Sequence, residues 1–179
     1  MTQPADRIRP NSTSSLNPGH TATDTADEVR PPAFKSIGPA LKILQLNVEG
    51  LSEAKRSLIK VLAVKHDVDI ICLEETHVDS NAANRFSIDG FDLLSHVLHP
   101  KHGRATYVKN TITDAVPLES FPFCDVVQIG RYKVANIYKP PSESWDTLVL
   151  PALAHPAVYV GDFNSHHTDW GYGALNNDG

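Results

Sequence analysis

The chain has 179 residues and a formal net charge of −5, with 41% hydrophobic and 21% charged residues, which is ordinary for one globular domain. No apolar run approaches the ~20 residues of a membrane span, and the first ten residues lack the apolar core of a secretory signal. We therefore expect an intracellular protein, nuclear or cytoplasmic, with no membrane association. The negative charge disfavours bulk attraction to nucleic-acid phosphates, so any work on phosphate here requires a cation.

The first forty residues differ in composition from the rest. Residues 1–40 are rich in Thr, Ser, Pro, Asn and Asp and hold few large apolar side chains, which predicts a disordered leader before a domain at residues 41–179. The two cysteines, Cys72 and Cys124, are too few for a disulfide framework or a four-ligand zinc site. We expect both to be reduced and structural.

The first elements of the domain follow from its hydrophobic pattern. Alternating apolar and polar residues predict a strand from Leu41 to Asn47. Ser52 is a suitable N-cap for a helix that continues to Lys65. Four apolar residues recur at helical spacing and predict the helix face that covers a sheet: Ala54, Leu58, Val61 and Leu62. Residues 68–73 are almost wholly apolar, which is typical of a central strand buried on both faces.

The middle of the domain is predicted to be rich in strands. Five segments between turn residues show strand patterns: residues 91–97, 105–109, 112–118, 125–129 and 132–138. Residues 144–153 predict a short helix despite Pro151, and residues 157–160 predict a last short strand. The remaining residues are polar and rich in His and Gly, and no further element is predicted there.

Three of these apolar strands are followed by a polar, oxygen-bearing residue. Asn47 ends the first, Glu75 follows the second, and Asp162 with Asn164 follows the last. Because side chains at strand exits converge on one edge of a sheet, we expect these residues to lie together. Carboxylates and amides suit a hard cation such as Mg²⁺, with Mn²⁺ as the alternative.

Spacing alone leaves several points open. Asp162 and Asn164 are two residues apart, so an extended segment turns both side chains to one face. The same alternation puts Glu74 and Glu75 on opposite faces without indicating which one faces the site. Taken singly, these residues also have an ordinary interpretation, because strand-end Asn and Asp commonly form turns and acidic residues are usually solvated.

Four segments occur along the chain in a fixed order. They are Leu-Gln-Leu-Asn, Leu-Glu-Glu-Thr-His, Asn-Ile-Tyr-Lys-Pro-Pro and Gly-Asp-Phe-Asn-Ser-His-His-Thr-Asp-Trp-Gly. Together they resemble the endonuclease/exonuclease/phosphatase superfamily over residues 41–179, and the last two resemble the endonuclease domain of non-long-terminal-repeat retrotransposons. The resemblance implies a four-layer α/β sandwich, with two mixed sheets packed face to face and helices outside.

The resemblance also implies a role for each matching residue. It assigns Glu75 as the ligand of Mg²⁺ and places Asn47 near the metal. It places Tyr138 against the scissile phosphate, gives Asp162 the attacking water, and has Asn164 help to bind the phosphate. These are expectations carried over from the family.

Other polar residues receive weaker assignments. The resemblance places His166, His167 and Trp170 in a segment beside the site, as neighbours of the substrate. Adjacent histidines alternate in direction and no Cys or His set accompanies them, which disfavours zinc. Glu74 occupies a position that is usually Gln in the family. Six further histidines belong to no motif: His20, His66, His96, His99, His102 and His155.

The function implied by the resemblance is Mg²⁺-dependent hydrolysis of DNA phosphodiesters, as in the nicking of target DNA during retrotransposition, without a small-molecule cofactor. The family pattern continues with a later Asp and a closing Asp-His pair that the 179 residues lack, so we expect an incomplete domain with little or no activity alone. Two alternatives stay open. One is a non-catalytic remnant of a mobile element, and the other is a phosphatase or phospholipid diesterase on the same scaffold.

Overall fold

The structure is a computed structural model that describes residues 40–81, 86–145 and 150–178. The predicted leader lies outside these residues except for Ala40, and so do residues 146–149 of the predicted second helix. The elements in chain order are β1 Ile43–Asn47, α1 Glu53–Lys65, β2 Ile70–Glu74, β3 Phe91–Val97, β4 Arg104–Lys109, β5 Ala115–Phe121, β6 Cys124–Ile129, β7 Tyr132–Tyr138, β8 Ala157–Asp162 and a 3₁₀ turn Thr168–Trp170. Within the described ranges, no helix has the length and apolar character that crossing a membrane requires.

The strands form two four-stranded mixed sheets. The first has the order β1-β2-β4-β3, in which β1 and β2 are parallel and the other pairs antiparallel. The second has the order β5-β6-β7-β8, in which β7 and β8 are parallel and the other pairs antiparallel. The predicted fold class, an α/β sandwich of two mixed sheets, is confirmed.

Most predicted strands are present with shifted ends, and the largest shift is at the start of β5. That strand begins at Ala115 instead of Ile112, because residues 110 and 111 form a turn in which the Ile112 N–H donates to the Lys109 carbonyl at 2.9 Å. Ile112 is buried in the core from this turn, which explains its apolar character. Residues 150–153 are not helical, so the described end of the predicted second helix is wrong.

Helix α1 begins where the sequence predicts, but it buries a different face. The Ser52 hydroxyl accepts from the Lys55 N–H at 3.3 Å, which confirms the N-cap. The buried residues are Ile59 and Ala63, whereas Leu58 and Val61 of the predicted stripe are 59% and 61% exposed. The helix has apolar residues around much of its circumference, so helical spacing alone is compatible with two buried faces. Ile59 and Ala63 pack in one cluster with residues of β2 and β4.

The layer between the two sheets changes from apolar to polar along the strands. At one end the inward-facing residues are apolar and buried: Ile70, Cys72, Val108, Val127, Ile129 and Val134. At the other end, the same faces of β2, β4, β6 and β7 carry four buried polar residues, which we call the polar layer: Glu74, Arg104, Asp125 and Asn136. Both cysteines, Cys72 and Cys124, are buried.

Three members of the polar layer join the sheets directly. Arg104 of β4 donates from Nε and Nη2 to the two carboxylate oxygens of Asp125 in β6, at 2.9 and 3.2 Å. Its remaining donors reach the carbonyls of Phe121 and Pro122. Asn136 of β7 places its amide nitrogen 3.3 Å from the Ala105 carbonyl of the opposite sheet. Such bonds offset the cost of burying these groups.

Glu74 is the third buried charge of this layer, and its pKa is strongly perturbed. Its Oε2 accepts from the Gln45 amide at 2.7 Å, and its Oε1 has no hydrogen-bond partner among the described residues. Burial raises the pKa of Glu74 from its ordinary value of 4.5 to about 8, and the nearby charge of Asp162 adds to the rise. The folded protein therefore favours the protonated acid.

Removing Asp125 should destabilise the fold strongly. Asp125→Ala leaves the Arg104 guanidinium buried without its carboxylate, and we expect the free energy of unfolding to fall by about 3–5 kcal/mol. Urea unfolding followed by circular dichroism measures this change. Asp89→Ala is the matched control because its carboxylate pairs with Lys60 at an exposed position, where little change is expected. A loss for Asp125→Ala no larger than that of the control would contradict the assignment.

Glu74 should make stability fall as pH rises. Its folded pKa of about 8 lies above the ordinary 4.5, so between these values the folded chain retains a proton that the unfolded chain has lost. Its stabilising contribution is complete below the lower value and is lost as pH rises through the higher one. Glu74→Gln should remove this slope, so its melting temperature relative to the parent should be higher at about pH 9 than at about pH 5. Melting curves in EDTA test this, and a constant difference would refute it.

Candidate active site

The ends of strands from both sheets meet at one edge of the sandwich. Asn47 ends β1, and its amide donates to Oδ2 of Asp162, the last residue of β8, at 2.9 Å. These residues are 115 positions apart in the chain and belong to different sheets. The convergence predicted for Asn47 and Asp162 is therefore present.

Glu75 follows β2 in a left-handed backbone conformation. Its φ of 51° is unusual for a residue with a side chain and ends the strand abruptly. The segment is held from both sides, because the Glu75 carbonyl accepts from the Gly50 N–H at 2.7 Å and the Thr76 N–H donates to the Gly103 carbonyl at 3.3 Å. Glu75, with a side chain 22% exposed, reaches the site, while Glu74 is buried in the polar layer. This settles which of the two glutamates faces the edge.

Tyr138 at the end of β7 contacts Glu75 directly. Its hydroxyl donates to Oε1 of Glu75 at 3.0 Å, although the residues lie in different sheets. Burial, and then this hydrogen bond to the carboxylate, raise the pKa of Tyr138 above its usual value. The phenol is therefore a neutral donor at physiological pH, held at the same edge as Asn47 and Asp162.

Asp162 and Asn164 line the same cavity, but the segment that joins them turns at Asn164 and is not extended throughout. Asn164 has a left-handed φ of 44°, and its backbone N–H donates to Oδ1 of Asp162 at 3.0 Å. Its side-chain amide donates to the Lys139 carbonyl at 2.8 Å. Phe163 packs in the cluster on the outer side of the second sheet. The turn leaves the Asp162 carboxylate oriented by two donors.

Gly161 allows β8 to approach β7 closely just before this turn. It has a φ of 141°, and a Cβ at this position would lie 1.9 Å from the Ile137 carbonyl oxygen. Only a residue without a side chain fits such a contact. The close approach of β8 to β7 at Gly161 thus sets the position of Asp162, the next residue in the chain.

Two histidines at the site received no role from sequence analysis. Nδ1 of His102 lies 3.2 Å from the Tyr138 hydroxyl, and Nε2 of His77 lies 3.7 Å from Oε2 of Glu75. Since the Tyr138 proton is directed at Glu75, Nδ1 of His102 acts as the donor in this contact. His77 belongs to the Leu-Glu-Glu-Thr-His segment, whereas nothing in the sequence around His102 indicated its position.

Of the predicted substrate neighbours His166, His167 and Trp170, the structure places Trp170 in one cavity with Asp162 and Asn164. His167 caps the 3₁₀ turn, because its Nδ1 accepts from the Asp169 N–H at 3.1 Å. The His166 ring stacks on Tyr172, with centroids 4.3 Å apart and planes 9° from parallel. Trp170 and Tyr172 line an open cavity of about 480 Å³ together with Asp162 and Asn164.

The chemistry of the site fits a cation that takes few protein ligands. Among the described residues no group of three His, Cys, Asp or Glu side chains is arranged to hold a metal ion. Mg²⁺ is commonly held by one or two carboxylates with water and substrate phosphate completing its shell. Glu75 supplies an accessible carboxylate, and Asn47 supplies an amide oxygen at the adjacent strand end. These oxygen donors match that preference.

Comparison with solved structures places this site in a known fold. The chain is similar to a Neisseria 3′ phosphatase NExo bound to product DNA hairpin, with 17% identity, a TM-score of 0.51, and coverage of 70% of this chain and 58% of that one. It is also similar to an AP endonuclease from Archaeoglobus fulgidus, with 20% identity, a TM-score of 0.46, and coverage of 60% and 44%. The chain spans between 44% and 58% of these two structures. Among curated proteins, no sequence matches it.

The family assignment comes from the sequence as a whole. A model of the Endonuclease/Exonuclease/phosphatase family matches residues 44–179, which include the site residues Asn47, Glu75, Tyr138 and Asp162. The two mixed sheets agree with that fold. The chain therefore belongs to the Endonuclease/Exonuclease/phosphatase family.

Proposed function

We propose that this chain carries the metal-side catalytic residues of a Mg²⁺-dependent phosphodiesterase that nicks DNA. The observation that carries the proposal is the Asn47–Asp162 hydrogen bond across the two sheets, with the Tyr138–Glu75 pair at the same edge. Membership of a family of endonucleases, exonucleases and phosphatases limits the reaction to phosphoester hydrolysis. A solved structure with the same fold is bound to product DNA, which supports a nucleic-acid substrate.

Glu75 and Asn47 are the proposed ligands of the cation. When bound, Mg²⁺ would neutralise charge that develops on the phosphate oxygens during hydrolysis. The carboxylate of Glu75 is partly exposed and is oriented by the Tyr138 hydroxyl. The Asn47 amide nitrogen is used by Asp162, so its oxygen is the atom that remains for a cation, although it also accepts from the Glu49 N–H at 3.2 Å.

Asp162 is the proposed base for the attacking water. Its two oxygens accept from Asn47 and from the Asn164 backbone, and these bonds fix the carboxylate while leaving lone pairs for a water molecule. Tyr138, a neutral donor, is suited to a phosphate oxygen at the same edge. Asn164 is the proposed second phosphate contact, although its amide nitrogen binds the Lys139 carbonyl in this structure and would exchange that bond for the substrate.

The finer role we propose is nicking of target DNA for a mobile element, inside the cell. The Asn-x-Tyr-x-Pro-Pro segment at residues 136–141 and the His-His-x-x-Trp-Gly segment at residues 166–171 support this role, because they resemble retrotransposon endonucleases. A non-catalytic remnant and a phosphatase or phospholipid diesterase are the rival functions. Activity assays distinguish all three.

Plasmid nicking by the purified chain tests the proposal. We expect Mg²⁺-dependent conversion of supercoiled plasmid to open circles, because the proposed cation ligand Glu75 and the proposed base Asp162 are both oriented by hydrogen bonds at this edge. Glu75→Ala and Asp162→Ala should each reduce the rate by roughly 10²-fold or more. Asp89→Ala, an exposed carboxylate paired with Lys60, is the control and should retain the rate.

The outcomes separate the rival functions. No nicking by a chain that is folded by circular dichroism would support the non-catalytic remnant. Hydrolysis of phosphomonoesters or phospholipids without nicking would support the second rival. Nicking that persists unchanged in both Glu75→Ala and Asp162→Ala would show that another group performs the reaction.

Tyr138→Phe examines the phenol separately from the fold. The ring still fills its buried position, so the melting temperature should change little, while the donor to Glu75 and to the phosphate is lost. We expect the nicking rate at saturating Mg²⁺ to fall by roughly 10²-fold. An unchanged rate in a stably folded variant would remove Tyr138 from the reaction.

A further inference from the structure

Two exposed aromatic rings stand at the mouth of the site. Trp170 is 65% exposed and Tyr172 is 47% exposed, and both line the cavity of about 480 Å³ that also contains Asp162 and Asn164. We call Trp170 and Tyr172 the aromatic shelf. Rings of this size are usually covered, and exposed ones beside a polar site indicate a binding surface.

The shelf is held in place by specific contacts. The His166 imidazole stacks on Tyr172, and the His167 imidazole lies 5.5 Å from the Trp170 ring. Asn176 exchanges backbone and side-chain hydrogen bonds with His166, at 2.9 and 3.1 Å, which closes the segment into a loop. The rings are thus positioned before a ligand arrives, which lowers the entropic cost of binding.

An ion pair also links this loop to the end of the second sheet. The ammonium of Lys139, buried after β7, pairs with Asp178 at 2.8 Å, and Asp178 also accepts from the Trp145 backbone N–H at 2.9 Å. Its hydrogen bond with Lys139 is the main reason that the pKa of Asp178 is lowered. The Lys139 ammonium is therefore paired with Asp178, and Lys139 is not among the residues that line the cavity.

The chemistry of the cavity selects a flat, uncharged group. Its lining combines Asp162, Asn164, Ser165 and three aromatic rings and includes no Lys or Arg. A phosphate held between Trp170 and Tyr172 would have no cationic partner in this lining, whereas any of the nucleobases can stack on an aromatic ring. The adjacent cation site proposed for Glu75 and Asn47 is where a phosphate belongs.

We infer that the aromatic shelf stacks an unpaired nucleobase next to the scissile phosphate. This inference rests on the proposed function for the position of the phosphate, but base binding can be measured without catalysis. A base in an intact duplex has both faces covered, so the shelf favours single-stranded, frayed or flipped nucleotides. The substrate class is thereby a locally unpaired polynucleotide, distinct from a small phosphomonoester or a phospholipid.

Binding assays in EDTA test the shelf without cleavage. The probes are a short fluorescein-labelled oligothymidylate and an abasic strand of equal length, which keeps the phosphates and lacks the bases. Fluorescence anisotropy should show roughly tenfold tighter binding of the oligothymidylate. Trp170→Leu and Tyr172→Leu should each lower that preference, while Leu58→Ala, an exposed apolar position on α1, should retain it.

Intrinsic fluorescence gives an independent readout. The chain has two tryptophans. The other, Trp145, is partly buried, and its indole donates to the Ser165 hydroxyl at 2.9 Å. Oligothymidylate should quench the parent and a Trp145→Phe variant through Trp170, and the abasic strand should not. All variants are compared after circular dichroism shows that they are folded.

Several results would overturn the inference. Equal affinity for the two strands, a base preference that survives both shelf substitutions, or burial of Trp170 in a dimer at assay concentrations would each do so. Nicking without any base preference would refute base binding by the aromatic shelf and would support the proposed function. A base preference that depends on Trp170 and Tyr172, in a chain that never nicks DNA, would support base binding by the aromatic shelf and refute the proposed function.

Discussion

The Arg104–Asp125 ion pair fixes how the two sheets lie against each other. Both side chains are buried, and the guanidinium uses two donors on the carboxylate and others on the carbonyls that follow β5. A sliding of one sheet over the other would leave a charge without its partner at this depth, which is costly. The alignment that results brings the ends of β1 and β8 close enough for Asn47 to reach Asp162. The site exists because this alignment is unique.

The polar layer also explains why the site lies at this edge and not at the opposite one. The inter-sheet rows begin with residues such as Ile70 and Val134 and finish with Glu74 and Asn136. Apolar packing at one end supplies most of the cohesion, because it is proportional to the buried area. Hydrogen bonds at the other end supply direction, and the hydrogen bonds that orient Glu75 and Asp162 lie at the same ends of the strands.

The sequence predicted the strand ends better than the side-chain directions around them. Asn47, Glu75 and Asp162 follow apolar runs, so their convergence could be anticipated from strand patterns together with the family resemblance. The turn at Asn164 could not, because period-two alternation assumes an extended backbone and gives no sign of a positive φ. The buried face of α1 was missed because its apolar residues fit two stripes. His102 reaches Tyr138 from a loop before β4, a contact between distant segments that no local pattern records.

The acidic balance of the chain limits how such a site can hold a polyanion. With a net charge of −5, long-range attraction to DNA is weak, and Lys139 beside the cavity is already neutralised by Asp178. In the function that we propose, affinity would come from contacts within a few ångströms of the scissile bond: a cation on Glu75 for the phosphate and the aromatic shelf for a base. Such contacts would require the substrate to be partly opened before it fits. In that proposal, low charge and a base-stacking surface are two aspects of one mode of recognition, in which local distortion of the nucleic acid takes the place of a basic groove.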